Sequence, residues 1–112
     1  MDPGEVRQLV LETQRKPNKI LIVDARSDQE YSAGHIPGAM NVPLMALPIK
    51  EGRVEPYASY DYIVVYGTTP DSVPARGVAK RFMSNKYRDV YVLKGGLKEW
   101  AIQGGEIVKG EK

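Results

Sequence analysis

Three hydroxyl side chains, Thr68, Thr69 and Ser72, follow the apolar run Ile63-Val64-Val65-Tyr66 and precede Val73-Pro74-Ala75-Arg76. That order describes a buried strand delivering a loop to a helix N-terminus. Amides of such a loop and of the first helical turn lack intrahelical partners and point outward with the positive end of the helix dipole, which suits an anion. Open α/β sheets also take their ligands at the carboxyl ends of their strands. The candidate binding residues are therefore Gly67, Thr68, Thr69, Asp71, Ser72, Val73, Ala75 and Arg76, with a small anion (sulfate, thiosulfate or phosphate) or a protein partner as ligand. Pro70 and Pro74 remove two amide donors, so an anion is expected to bind weakly.

Hydroxyl catalysis would need an adjacent base, and His35, the sole histidine, lies outside the loop. The preferred reading gives the hydroxyls to the loop backbone and the helix cap. The chain has no cysteine, which removes disulfides, thiolate nucleophiles and Cys-based metal sites. One histidine cannot supply the usual zinc ligand set, so neither metal nor cofactor is expected. Sixteen Lys and Arg against fourteen Asp and Glu leave a net charge of +2. The tight basic pairs, Arg15-Lys16 and Lys80-Arg81, sit among acidic and apolar residues, so no nucleic-acid or membrane partner is expected. The first twenty residues carry scattered charges without an apolar core, unlike a signal peptide or membrane span. A soluble, cytoplasmic protein is the expectation, and an exported mature form is compatible with it.

Around the loop, 112 residues with 42% hydrophobic content suit one compact domain over residues 1–112. Asp2-Pro3-Gly4-Glu5 is a helix-start signature, and Val6, Leu9, Val10 and Thr13 give an apolar face to a helix ending near Gln14. Pro17-Asn18 breaks it. Ile20 to Val23 reads as a strand covered on both faces, and Ser27 to Glu30 as a capping box for a short helix that Gly34 closes in a left-handed conformation. A turn over residues 35–39 leads to a short strand at 40–42 and a helical turn at 44–47. Residues 50–61 read as exposed connection. After the strand at 63–66, a helix over 74–85 has Val78, Ala79, Phe82 and Met83 at helical spacing. A strand at 90–93 and a helix at 97–103 with Trp100 inward follow. Alternating helices and strands predict a parallel sheet with helices on both faces.

The segment from Asp24 to Ala39, DARSDQEYSAGHIPGA, closely resembles the upstream signature of the rhodanese family, and Gly95-Gly96-Leu97-Lys98-Glu99-Trp100 resembles its C-terminal signature. Their order and spacing extend the resemblance over nearly the whole chain. It implies the three-layer rhodanese α/β fold, with a central parallel sheet of about five short strands, and a family of sulfurtransferases, related phosphatases and non-catalytic modules. In active members the strand corresponding to residues 63–66 is followed at once by a cysteine that carries sulfane sulfur as a persulfide. Here that position is Gly67. The loop is also about two residues longer than the common sulfurtransferase loop.

Asp24 and Arg26 match an acid and a base of the family pattern. Asp24 is expected to brace the strand ends, Arg26 to brace or to attract an anion, and Glu30 and His35 to hold the turn over residues 34–38. Arg76 reads as a solvent-facing helix residue that can also face the loop. The functional expectation is a catalytically inactive rhodanese-like binding or regulatory module. The alternative is a sulfurtransferase whose cysteine has been replaced or is supplied by a partner. On either reading, a cysteine installed at position 67 is expected to be reactive but slow to turn over.

Overall fold

A computed structural model describes residues 1–15, 19–50, 52–69 and 71–110. The expected break at Pro17-Asn18, the proline at 70 and Glu51 in the expected connection fall outside them. The elements are α1 (Pro3–Arg15), β1 (Ile20–Asp24), α2 (Asp28–Ala33), β2 (Met40–Asn41), a 3-10 turn (Leu44–Ala46), β3 (Tyr62–Tyr66), α3 (Val73–Ser84), β4 (Asp89–Val92) and α4 (Gly96–Ile102). All strands are parallel, in the order β2-β1-β3-β4.

Alternation along β1 and β3 sends successive side chains to opposite faces and so creates two cores. Leu21, Val23, Ile63 and Val65 meet Ala75, Val78, Ala79 and Phe82 of α3 on one face. Ile22, Val64 and Tyr66 meet Val6 of α1, Tyr31 of α2, and Leu97 and Trp100 of α4 on the other. With Ile63 to Tyr66 fully buried, β3 is the central plank, and burial of each large aliphatic side chain contributes about 1.5–3 kcal/mol.

Four expectations are corrected. The sheet among the described residues has four strands where about five were expected, because the segment before β1 is helical from Pro3, capped by Glu5 N–H donating to Asp2 Oδ1 at 2.9 Å and Asp2 N–H to Glu5 Oε1 at 3.1 Å. Met1 lies beside β4, its ammonium donating to Val92 O at 3.0 Å and its carbonyl accepting from Lys94 N–H at 2.7 Å. Gly34 is extended, with φ of 169°, and not left-handed. A Cβ there would lie 3.0 Å from Ile107 Cγ2, so closeness of packing is what favours glycine. The connection after the 3-10 turn is not wholly exposed, since Val54 and Tyr57 are core residues. Tyr57 meets Phe82 edge-on at 6.0 Å, and its carbonyl accepts from the Tyr87 hydroxyl at 2.6 Å. Met83 faces outward, at 50% exposure, because only Val78, Ala79 and Phe82 of the expected stripe lie beneath the helix.

Buried Asn85, at the end of α3, fastens this connection: its Oδ1 accepts from Lys50 N–H at 2.8 Å and its Nδ2 donates to Pro48 O at 2.9 Å. Among the described residues, no helix is long and apolar enough to cross a membrane.

Candidate functional site: a glycine corner at the end of the central strand

Gly67 is buried at the carboxyl end of β3. Two contacts fix the chain there from the far side: Leu97 N–H donates to Gly67 O at 2.8 Å and Lys98 N–H to Thr68 O at 3.0 Å. The first turn of α4 thus rests directly on the loop. Gly95 and Gly96, with φ of 81° and 66°, let the chain turn into that helix. A Cβ on Gly96 would come within 2.7 Å of Gly67 O, an approach only glycine allows.

The loop then folds into its own interior. Ser72 N–H donates to Thr69 O at 3.2 Å, Ser72 Oγ accepts from Ala75 N–H at 3.2 Å, and Arg76 N–H donates to Ser72 O at 3.3 Å. Ser72 is therefore the N-cap of α3, and the amides of Ser72, Ala75 and Arg76 are spent inside the segment. A Cβ on Gly67 would stand 1.9 Å from Ser72 Oγ and 2.4 Å from Ser72 Cβ. The space into which a residue-67 side chain would project is occupied by the serine. Thr68, Thr69, Asp71, Val73 and Arg76 are exposed around this filled corner, and Ala75 is buried beneath it.

Asp24 and Arg26 form a separate network beside the corner. Asp24, fully buried, accepts from Arg26 N–H at 2.9 Å, from Arg26 Nε at 3.0 Å, from Arg26 Nη2 at 2.8 Å and from the Tyr66 hydroxyl at 2.8 Å. The Arg26 side chain is only 9% exposed; it also donates to Gly34 O and lies 5.9 Å from the centre of the Tyr66 ring. Burial works against its charge, but the hydrogen bonds and charge of Asp24 prevail and raise its pKa above the ordinary arginine value. Burial, reinforced by the Asp24 charge, pushes the Tyr66 phenol far above its usual range. The Tyr66 hydroxyl oxygen in turn accepts from Ile36 N–H at 3.1 Å, and Ala25 N–H donates to the Tyr66 carbonyl at 3.0 Å, so strand ends and the following turn share one brace.

Glu30 closes the capping box with Ser27 at the start of α2. His35 is buried against Tyr31, ring on ring at 3.8 Å, with Nδ1–H donating to Tyr31 O at 2.8 Å. The structure therefore divides the predicted residues. Gly67 to Arg76 form one corner, Asp24 and Arg26 a brace at its side, and Glu30 and His35 belong to α2 and its turn. Among the described residues, no titratable side chain hydrogen-bonds Thr68, Thr69 or Ser72. Sequence reasoning missed Tyr66 and Asn41, whose Nδ2 donates to Asp24 O at 3.1 Å and Arg26 O at 2.8 Å. A tyrosine closing an otherwise aliphatic buried run was the available signal for the first.

These features define an α/β domain with a loop at the end of its central strand and glycine, not cysteine, as the first residue of that loop. The rhodanese-like domain family matches residues 5–103, and the chain belongs to that family. It is 33% identical over 89 residues to YqhL of Bacillus subtilis, covering 80% of this chain and 64% of that protein. Identity is 30% over 102 residues to the HTH-type transcriptional regulator Rv0324 of Mycobacterium tuberculosis, covering 86% of this chain and 41% of the regulator. The chain thus spans less than two thirds of the length of these relatives. The structure of a thiosulfate sulfurtransferase from Pseudomonas aeruginosa superposes with a TM-score of 0.75 at 26% identity, over 98% of this chain and 20% of that one.

Proposed function

We propose that residues 1–112 act as a single rhodanese-like recognition module with no sulfur-transfer step of its own, and that the loop at residues 67–76 is the surface it offers to a protein partner. The observation that carries this reading is the filled corner: Ser72 Oγ lies 1.9 Å from where a residue-67 Cβ would stand. A persulfide site needs a thiol and open space above it for donor and acceptor; this corner supplies neither. The same filling argues against a strong anion site, because Ser72 Oγ takes the Ala75 amide and Thr69 O takes that of Ser72. What remains outward is Thr68, Thr69, Asp71, Val73 and Arg76, a mixed surface suited to a protein. The match within a longer transcriptional regulator supports the modular reading.

Two measurements test it. Incubation with thiosulfate and cyanide gives no thiocyanate above a buffer blank, and no mass gain of one sulfur; a protein-dependent signal surviving repurification refutes the inactive reading. A photo-crosslinking amino acid at Thr69 captures one defined cellular protein that the same group at exposed Gln8 on α1 does not. Equal capture at both positions, or none at Thr69, refutes the loop as the recognition surface.

A further inference from the structure

A groove of about 400 Å³ lies away from the glycine corner, along the free edge of β2, and is lined by Tyr31, His35, Gly38 to Asn41, Pro56 and Tyr57. Its polar groups have a one-sided inventory. The Nδ1–H of His35 is committed to Tyr31 O, both Asn41 Nδ2 hydrogens go to the carbonyls of Asp24 and Arg26, and the Tyr31 hydroxyl donates to Ala39 O at 2.6 Å. Among the described residues, His35 Nε2 and Asn41 Oδ1 have no hydrogen-bond partner, and neither does the Tyr57 hydroxyl, which can donate or accept. With Nδ1 carrying the hydrogen that this bond uses, Nε2 is the acceptor nitrogen of the neutral imidazole. His35 is 5% exposed, yet among the described residues every fully buried side-chain nitrogen and oxygen has a partner. Nε2 is therefore not fully enclosed, and the groove is a space that His35 lines.

From these observations we infer a small-molecule site for a planar, neutral ligand that donates hydrogen bonds through N–H, such as an amino-substituted heteroaromatic ring. The acceptors Nε2 and Oδ1 select donors over acceptors, because an acceptor placed against them would leave lone pairs facing each other. Pro56, Met40 and the Tyr57 ring supply the apolar walls against which a flat ring fits. The site stands apart from the 67–76 loop, so its fate is independent of the recognition role proposed for that loop.

The test is a two-dimensional amide NMR titration with 2-aminobenzothiazole, and with benzothiazole as an analogue without N–H donors, both neutral at pH 7. We expect shifts from the first, at low millimolar concentration, confined to residues 35–41 and 57–58, and at least about fivefold weaker binding of the second, the usual order of effect for a lost hydrogen bond at a buried polar group. Met40→Trp, a change at a half-buried edge position that blocks the groove without touching the His35 bonds, abolishes those shifts while the free spectrum stays dispersed. His35→Gln weakens binding further if it folds. Shifts scattered over other surfaces, equal affinity for the two probes, no shifts at saturating probe, or binding that survives Met40→Trp would each overturn the site.

Discussion

Replacing Gly67 by alanine tests the central geometric claim directly. The added methyl would meet Ser72 Oγ at 1.9 Å and Ser72 Cβ at 2.4 Å, with Ala75 Cβ at 3.4 Å. Gly67 is not among the glycines with positive φ, so backbone strain contributes nothing and the cost is one of space. Forcing a methyl into an occupied site costs about 1–3 kcal/mol, and displacing Ser72 breaks the cap on Ala75, worth about 1 kcal/mol. Gly67→Ala should therefore lose about 2–4 kcal/mol, a fall in Tm of about 10 °C or more for a domain of this size. Ser72→Gly alone should cost only a few tenths of a kcal/mol, as glycine is a tolerated N-cap. Combined, the two should be nearly as stable as Ser72→Gly alone, with a coupling energy of about 2 kcal/mol in a double-mutant cycle. Urea denaturation of the four proteins supplies the numbers. Additive losses, or a Gly67→Ala shift below about 2 °C, would refute the claim that Ser72 holds this space. The cycle also revises what a thiol there would do: Gly67→Cys alone is a packing defect, and only with Ser72→Gly should alkylation show a thiol pKa below the free value of about 8.5.

Arg26→Met leaves Asp24 buried without its cation and should cost about 3–5 kcal/mol in chemical denaturation, whereas Tyr66→Phe removes one bond to Asp24 and one to Ile36 and should cost about 1–2 kcal/mol; the reverse order would contradict the brace as described. Gly96→Ala combines positive φ with a 2.7 Å approach to Gly67 O and should destabilise by about 3 kcal/mol, read as a lowered urea midpoint; a change within about 0.5 kcal/mol would refute the close seating of α4. Burial raises the pKa values of Tyr31, Tyr57, Tyr66 and Tyr87 above the usual 10. The folded state thus holds protons that the unfolded chain releases near pH 10, so this contribution is complete below that pH and is lost as pH rises through the folded values. Stability should be flat from about pH 7 to 9 and fall above pH 10, with tyrosinate absorbance lagging behind that of a model tyrosine; seven tyrosines titrating near pH 10 in the folded protein would refute it.

Much of the fold was legible because its signals were local. The Asp2 and Ser27 capping boxes, the unbroken apolar strands and the glycines before Trp100 each prescribe a conformation within a few residues, and the two family signatures ordered them. The count of strands was less legible, since whether Met1 lies beside β4 depends on where α1 can begin. Val54 and Tyr57 were hidden because an irregular segment buries side chains without a period to reveal it. At the corner, the missing thiol was plain from Gly67. That Ser72 turns inward to take its place was not, because the folding of a loop onto itself is set by contacts across its own interior and by α4 some thirty residues further on.

That seating of α4 makes the molecule its own spectroscopic reporter. The single tryptophan, Trp100, is buried on the helix whose first amides bond Gly67 O and Thr68 O, and its Nε1–H donates to Glu106 O at 2.8 Å. A loop movement that carries those carbonyls and the first turn of α4 together changes the indole's surroundings. Emission from Trp100 is then the label-free signal to follow in equilibrium titrations and on the stopped-flow timescale alike.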